Sequence, residues 1–258
     1  MIAAVAPLII ALAAFLLRLF DLASIKGFIF DEVYYVDGAR DLLKYGVEVS
    51  GSKPEFVVHP PVGKWMIASG IKLFGDNPLG WRIATAFVGS LMILLVALIA
   101  HRLFYSPLLT ALASALMAVD GLALVHSRTA LLDNFLAFFI LAATYFFISK
   151  KYWWCGAFLG LALATKWSAL YFVVLFGLIA LYRTFTHHTG RDLIRPTLYR
   201  VGALGLLPIF IYITSWWGWF ASNRGWDRSH SSNLFDSFIY YHQEILNFHT
   251  SLTEKHPY

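Results

Sequence analysis

The sequence predicts an all-α, polytopic helical membrane protein. Three observations carry that prediction. Charged residues make up only 14% of the 258-residue chain, against 59% hydrophobic ones, where a soluble domain has about 25% and about 45–50%. The mean hydropathy is +0.65, and lipid is the solvent that tolerates so little charge. Apolar runs of about 20 residues, the length of a spanning helix, recur between short basic turns. Aromatic residues at 17%, with 9 Trp and 22 Phe, suit lipid-facing and interfacial positions.

The first expected span runs from Ile2 to Phe20, with Arg18 and Asp21 marking its far end. It lacks a basic leader and a small-residue cleavage site, so it reads as a retained helix and not a signal peptide. A polar stretch follows, residues 21–80, with an amphipathic piece from Val33 to Tyr45 that places Tyr34, Leu42 and Tyr45 near one face. Further spans are expected over Ile83–Ala100, Pro107–Val125, Thr129–Ser149 and Val201–Phe220. The run from Tyr152 to Tyr182 is too long for one span and short for two. Two shortened helices meeting near Lys166 fit it best. The total is about seven membrane-embedded helices, in one unit over residues 1–258.

Loop charge sets the orientation. His101-Arg102, Lys150-Lys151 and the Arg183–Arg200 loop fall on one side only if the Tyr152–Tyr182 segment enters and returns. That side is cytoplasmic. The long loop over residues 21–80, Arg128, Lys166 and the tail are then extracytoplasmic. The net charge of +5 is scattered through apolar runs and forms no stripe, which argues against nucleic acid and for anionic head groups. Cys155 is the single cysteine, so no intrachain disulfide can form.

Ionisable residues crowd the extracytoplasmic side. Asp31-Glu32 sits in an aromatic setting where two adjacent carboxylates are costly. Asp31 can be read as a helix N-cap or as a general base, and the residues alone do not decide. His59-Pro60-Pro61-Val62-Gly63-Lys64 fixes the backbone with two prolines and ends on a lysine at a helix start. A phosphate could use the free backbone N–H groups there, and a snorkelling lysine is the plainer alternative. Arg82, Arg128 and Lys166 are each ordinary interfacial anchors alone, but with Lys64 they make four cations on one side. Asp133 lies about one turn into its span and could pair with Arg128. His242 and His249 can share a helix face, but their spacing matches no standard zinc pattern.

In order, Phe30-Asp31-Glu32-Val33-Tyr34-Tyr35, the His59–Lys64 stretch, Trp81-Arg82, Ser127 to Asp133 and Gly160 to Trp167 resemble protein O-mannosyltransferases. The tail from Tyr241-His242-Gln243-Glu244 to His256-Pro257-Tyr258 is similar to the bacterial branch. The resemblance covers nearly the whole chain, and the combination is specific where each piece alone is weak. It implies a GT-C fold with residues 21–80 as the extracytoplasmic loop that holds the catalytic motifs. It also implies a bacterial plasma membrane location and an N-terminal portion of a longer protein.

The resemblance further implies transfer of mannose from a polyprenyl-phosphate-mannose donor to Ser/Thr hydroxyls of a secreted polypeptide, with inversion. Asp31 is the expected base and Glu32 its orienting partner in the catalytic pair. Arg82, Lys64, Arg128 and Lys166, in that order, are expected to bind the donor phosphate, with His59, Asp133 and His242 positioning substrate. No cofactor is required; a divalent metal could bridge acids and phosphate, but no pattern calls for one. Expected partners are the lipid-linked donor, the polypeptide acceptor and membrane lipids, with the secretion translocon a further candidate. Competing readings are a GT-C transferase with a glycan or lipid acceptor, a transporter of anionic lipid, and a non-catalytic half of an assembly.

Overall fold

The computed structural model describes residues 2–251. The motif His256-Pro257-Tyr258 lies outside them. The first helix, α1 (Ile2–Leu19), packs on later helices through Ala11 and Ala14, which meet Ile93 and Ala118. Its other face, with Leu8, Ile9, Leu12 and Leu16, is exposed, as a lipid-facing surface must be. Arg18 does not mark an interface. It has no accessible surface, and its guanidinium donates to Ala14 O.

Residues 21–80 are structured. They hold α2 (Glu32–Tyr45), a two-residue-turn hairpin of β1 (Val49–Ser50) and β2 (Lys53–Pro54), and α3 (Val62–Phe74). The α2 helix stops at Gly46, whose φ of 76° suits a residue without Cβ. The buried face of α2 is Glu32, Tyr35, Val36 and Ala39. Tyr34 is exposed and points out. A face at the helical period starting from Glu32 places it there.

The central element is α4 (Pro78–Phe104). Pro78 at its first turn and the Asn77 side chain, accepting from Leu79 N and Gly80 N, fix its start. Its 27 residues span about 40 Å at about 1.5 Å per residue, more than a hydrocarbon core of about 30 Å. It packs against α1, α3, α5 (Pro107–Val119) and α7 (Leu132–Ile148). The span expected over Pro107–Val125 is broken. Asp120 is extended, at ψ 123°, and its carboxylate caps α6 (Gly121–His126) by accepting from Ala123 N at 2.7 Å.

After α7 come α8 (Tyr152–Leu163), a 3-10 turn over Trp167–Ala169, and α9 (Leu170–His187). This is the break near Lys166 that the length of the run predicts. The last apolar run starts earlier than expected. It comprises α10 (Ile194–Val201), a π-turn over Gly202–Leu206 and α11 (Leu207–Ser215), and it ends at Trp216 ahead of α12 (Trp217–Ala221). The tail forms α13 (Leu234–Ser251). Among the described residues, three helical runs are long and apolar enough to cross a membrane: Pro78–Phe104, Trp167–His187 and Gly190–Ser215. Four shorter apolar helices accompany them, over Val5–Leu19, Pro107–Val119, Leu132–Ile148 and Tyr152–Leu163.

Two glycines let α8 touch α11 and the π-turn. A Cβ at Gly156 would strike Ala203 O, and one at Gly160 would meet Ile211 Cβ at 2.8 Å and Pro208 Cα at 3.0 Å. Close backbone approach through a small-xxx-small pair is how helices associate where lipid removes the hydrophobic drive. Gly177 on α9 has open space around it. Gly156→Leu is therefore expected to destabilise the folded protein by at least the ~1–3 kcal/mol of an overpacked core, and Gly177→Ala to leave its melting temperature unchanged or higher. Thermal unfolding of the purified variants checks both.

Candidate active site

Asp31 is placed by the turn before it. Phe30 has a φ of 53°, a left-handed conformation uncommon for a bulky residue. It turns the chain so that the Asp31 carbonyl accepts from Tyr34 N and Tyr35 N and starts α2. The Asp31 carboxylate makes no capping bond. It accepts instead from the Tyr35 hydroxyl, at 3.2 Å. Burial first, and then the Asp31 charge, hold the Tyr35 hydroxyl well above its ordinary range, so it remains a donor. Among the described residues no cation pairs with Asp31.

Glu32 faces the other way. It has no accessible surface. Its Oε1 accepts from Arg82 Nε at 2.7 Å and Ala130 N at 2.7 Å. Its Oε2 accepts from Arg82 Nη2 at 2.6 Å and Ile29 N at 2.8 Å. Arg82 in turn donates to Ile25 O and Gly27 O, both at 2.8 Å. The pair ties together the loop before α2, the start of α4 and the approach to α7. Glu32 thus holds a cation, and Arg82, expected to bind the donor phosphate, is 1% exposed with four of its five N–H groups bonded to the chain.

In front of the pair lies a cleft of about 730 Å3, lined by Asp31, Tyr34, Tyr35, His59, Lys64 and His249 among others. Lys64 donates to Glu48 Oε1 at 2.7 Å and to His59 O at 3.2 Å. An ammonium has three donors, so one remains for the cleft. Gly38 makes room for the lysine stem: a Cβ there would meet Lys64 Cδ at 3.0 Å. The His59 ring lies 5.9 Å from that of Tyr35 and 5.9 Å from that of His249. Burial, then Lys64 and Lys166, push His59 down to about 3, so it is neutral at physiological pH.

The remaining candidates divide. Lys166 bonds both oxygens of Asp133, at 2.8 and 3.1 Å, in a half-exposed pair that sits at the break between α8 and α9. Asp133 thus pairs with Lys166 and not with Arg128. Arg128 caps the C-terminal end of α1, donating to Leu17 O, Arg18 O and Phe20 O, where a cation is favoured by the helix dipole. Arg128 does not line the cleft. His242, expected to position substrate, sits in a hydrogen-bonded relay. Its Nδ1 bonds Phe238 O, and its Nε2 meets the Tyr212 hydroxyl at 2.7 Å, which accepts from Trp167 Nε1 at 2.9 Å.

Sequence reasoning missed three contributors. Tyr35, which holds Asp31, stood inside the quoted motif without a role. Glu48 pairs with Lys64 only because the hairpin returns the chain, and no spacing rule signals that. Tyr241 bonds the backbone of Val57 from α13. Among the described residues no three His, Cys, Asp or Glu side chains converge as a metal-ligand set.

The basic turns gather at the other end of the helices. The Arg183 guanidinium lies 5.6 Å from the Phe147 ring and that of Arg200 5.5 Å from the Tyr152 ring.

Three comparisons place this arrangement. The fold matches the structure of the Saccharomyces cerevisiae protein O-mannosyltransferase Pmt1-Pmt2 complex bound to the sugar donor, with a TM-score of 0.74 at 21% identity, over 84% of this chain and 33% of that one. The likeness is one of fold, an all-helical architecture shared with that membrane complex. The polyprenol-phosphate-mannose–protein mannosyltransferases of Corynebacterium glutamicum and Mycobacterium tuberculosis are 34% and 36% identical, over 97% and 85% of this chain. The family described as dolichyl-phosphate-mannose-protein mannosyltransferase matches residues 8–221, and the chain belongs to that family. The chain spans 61% and 50% of the length of the two bacterial relatives.

His59 gives the site a pH signature. Its usual value of 6.5 falls to about 3 in the folded state, so the unfolded chain binds a proton that the folded one refuses. The contribution is neutral above about pH 6.5 and becomes destabilising as pH falls from there toward 3. The His59→Gln variant is expected to lose less melting temperature than the parent between pH 7 and pH 4.5. Parallel pH curves for the two proteins contradict the assignment.

Proposed function

We propose that the cleft transfers mannose from a polyprenyl-phosphate-mannose donor to a Ser or Thr hydroxyl of a polypeptide, by a single inverting displacement. The observation that carries this is the state of Asp31: an ionisable carboxylate at the cleft wall, steadied by one neutral hydroxyl and paired with no cation among the described residues. That is the condition of a general base. The family membership supplies the donor and acceptor classes.

In the step, the acceptor hydroxyl oxygen attacks the anomeric carbon while Asp31 takes its proton. The bond from that carbon to the phosphate oxygen breaks, and the lipid phosphate leaves with the electron pair. A phosphate needs no proton to leave if cations receive it. Lys64, with a donor free inside the cleft, comes first. Lys166 follows, because its pair with Asp133 is half exposed and can be exchanged for a phosphate contact. Arg128 can take part only by giving up carbonyls at the end of α1. His59, neutral, serves as a hydrogen-bonding wall and not as a base. Glu32 and Arg82 are positioning residues that fix where Asp31 stands.

The same reading places the helices as a GT-C-type membrane domain in a bacterial plasma membrane. The cleft, with residues 21–80, lies on the extracytoplasmic side and the basic turns on the cytoplasmic one. A polypeptide arriving there arrives by secretion, which makes the translocon the natural neighbour. Separation of the cleft residues from Arg183 and Arg200 to opposite ends supports that sidedness. An anionic-lipid carrier has no use for an unpaired carboxylate beside its phosphate site, since the two repel.

A positioned base contributes about 10²–10⁴-fold in rate. Asp31→Asn in the full-length protein is expected to lower kcat by that range while membrane insertion and melting temperature hold. Transfer of labelled mannose to a Ser/Thr-rich peptide reads it. Undiminished transfer by the variant removes Asp31 as the base.

A further inference from the structure

Past the hairpin, residues 55–59 form one wall of the cleft. Pairing with β1 ends where Glu55 N donates to Glu48 O, at 3.2 Å. Two residues on, a side chain takes over. The Tyr241 hydroxyl accepts from Val57 N at 3.2 Å and donates to Val57 O at 3.0 Å. Both polar groups of Val57 thus point at α13, as they do in an extended residue.

Peptide planarity fixes their neighbours. Across a trans peptide bond the C=O and the N–H point in opposite directions. The Phe56 C=O is opposed to the Val57 N–H, and the Val58 N–H to the Val57 C=O. Both therefore face away from Tyr241. Neither has a hydrogen-bond partner among the described residues, yet both residues are half-buried and line the cleft. Backbone groups in such a place ask for partners. Pro54 and Pro60, which carry no N–H, bracket the stretch and confine it.

An acceptor and a donor two residues apart on one edge are what a strand offers to a neighbouring strand of either direction. In the parallel case one residue of an extended chain donates its N–H to Phe56 O and accepts the Val58 N–H at its own C=O. We propose that this edge is the rail on which the acceptor polypeptide docks, extended and held by main-chain pairing. The proposal rests on the mannosyl-transfer reading for the identity of that polypeptide. The rail also ends in the right place. Val58 adjoins His59, whose ring lies 5.9 Å from that of Tyr35, and the Tyr35 hydroxyl holds Asp31. Main-chain pairing reads few side chains, so a hydroxyl can be presented from varied sequences.

The test uses the full-length protein in lipid nanodiscs with an unstructured Ser/Thr peptide. Hydrogen exchange is followed at the Val58 amide with and without peptide, and peptides N-methylated at single positions are assayed for transfer. Slowed exchange at Val58 is expected, together with a KM raised about 2- to 10-fold by methylation at one position near the hydroxyl residue, and kcat unchanged. Unaltered Val58 exchange at peptide concentrations that saturate transfer overturns the rail, as does a KM indifferent to every methylation. Protection of Val58 without any mannose transfer keeps the rail and removes the mannosyltransferase reading, so the two stand or fall separately.

Discussion

Glu32 and Arg82 form an ion pair buried away from the surface, and the geometry of the cleft descends from that fact. A buried charge is tolerated only when it is paired and its remaining hydrogen-bonding capacity is filled. Glu32 accepts four bonds, and Arg82 makes two more to carbonyls of the loop after α1. Six bonds therefore converge from four parts of the chain: residues 25–29, α2, α4 and the turn before α7. None of those segments can move without stranding a charge.

Asp31 inherits its position from this anchor. It precedes Glu32, and in a helix start successive side chains diverge widely around the axis. With Glu32 locked inward, Asp31 is turned to the cleft, where Tyr35, one turn on, meets it. Two adjacent carboxylates thus take opposite roles, one buried and saturated, the other open and unpaired. A second buried pair, Lys64 with Glu48, closes the next wall of the cleft on the same principle. The difference is that Lys64 lines the cleft, whereas Arg82 stands behind it.

Much of the helical architecture was legible because lipid imposes length and composition on every span. The break at Lys166 followed from a run too long for one helix, whereas α4 begins at Pro78, ahead of the expected Ile83, because the Asn77 side chain caps it and proline suits its first turn. The break at Asp120 was missed because one acid in an apolar run looks like a tolerated exception until its carboxylate is seen capping α6. The residue types of the site were legible too, since ionisable groups near a bilayer are expensive and stand out. Their pairing was not. Glu48 and Lys64 meet through a hairpin, Asp133 and Lys166 through the α8–α9 break, and Glu32 and Arg82 across 50 residues. Ranking Arg82 first for phosphate followed the chemistry of guanidinium without knowing that an acid had already claimed it.

The central claim is that Glu32 and Arg82 act as one unit that fixes the cleft. A double-mutant cycle of Glu32→Gln and Arg82→Met, read as melting temperature in lipid nanodiscs, tests it most directly. Each single variant leaves an uncompensated buried charge, a loss of about 3–5 kcal/mol, while the double variant leaves none. The account predicts a double variant no less stable than the worse single one. Losses that simply add would show two independent residues, and the anchor described here would not exist.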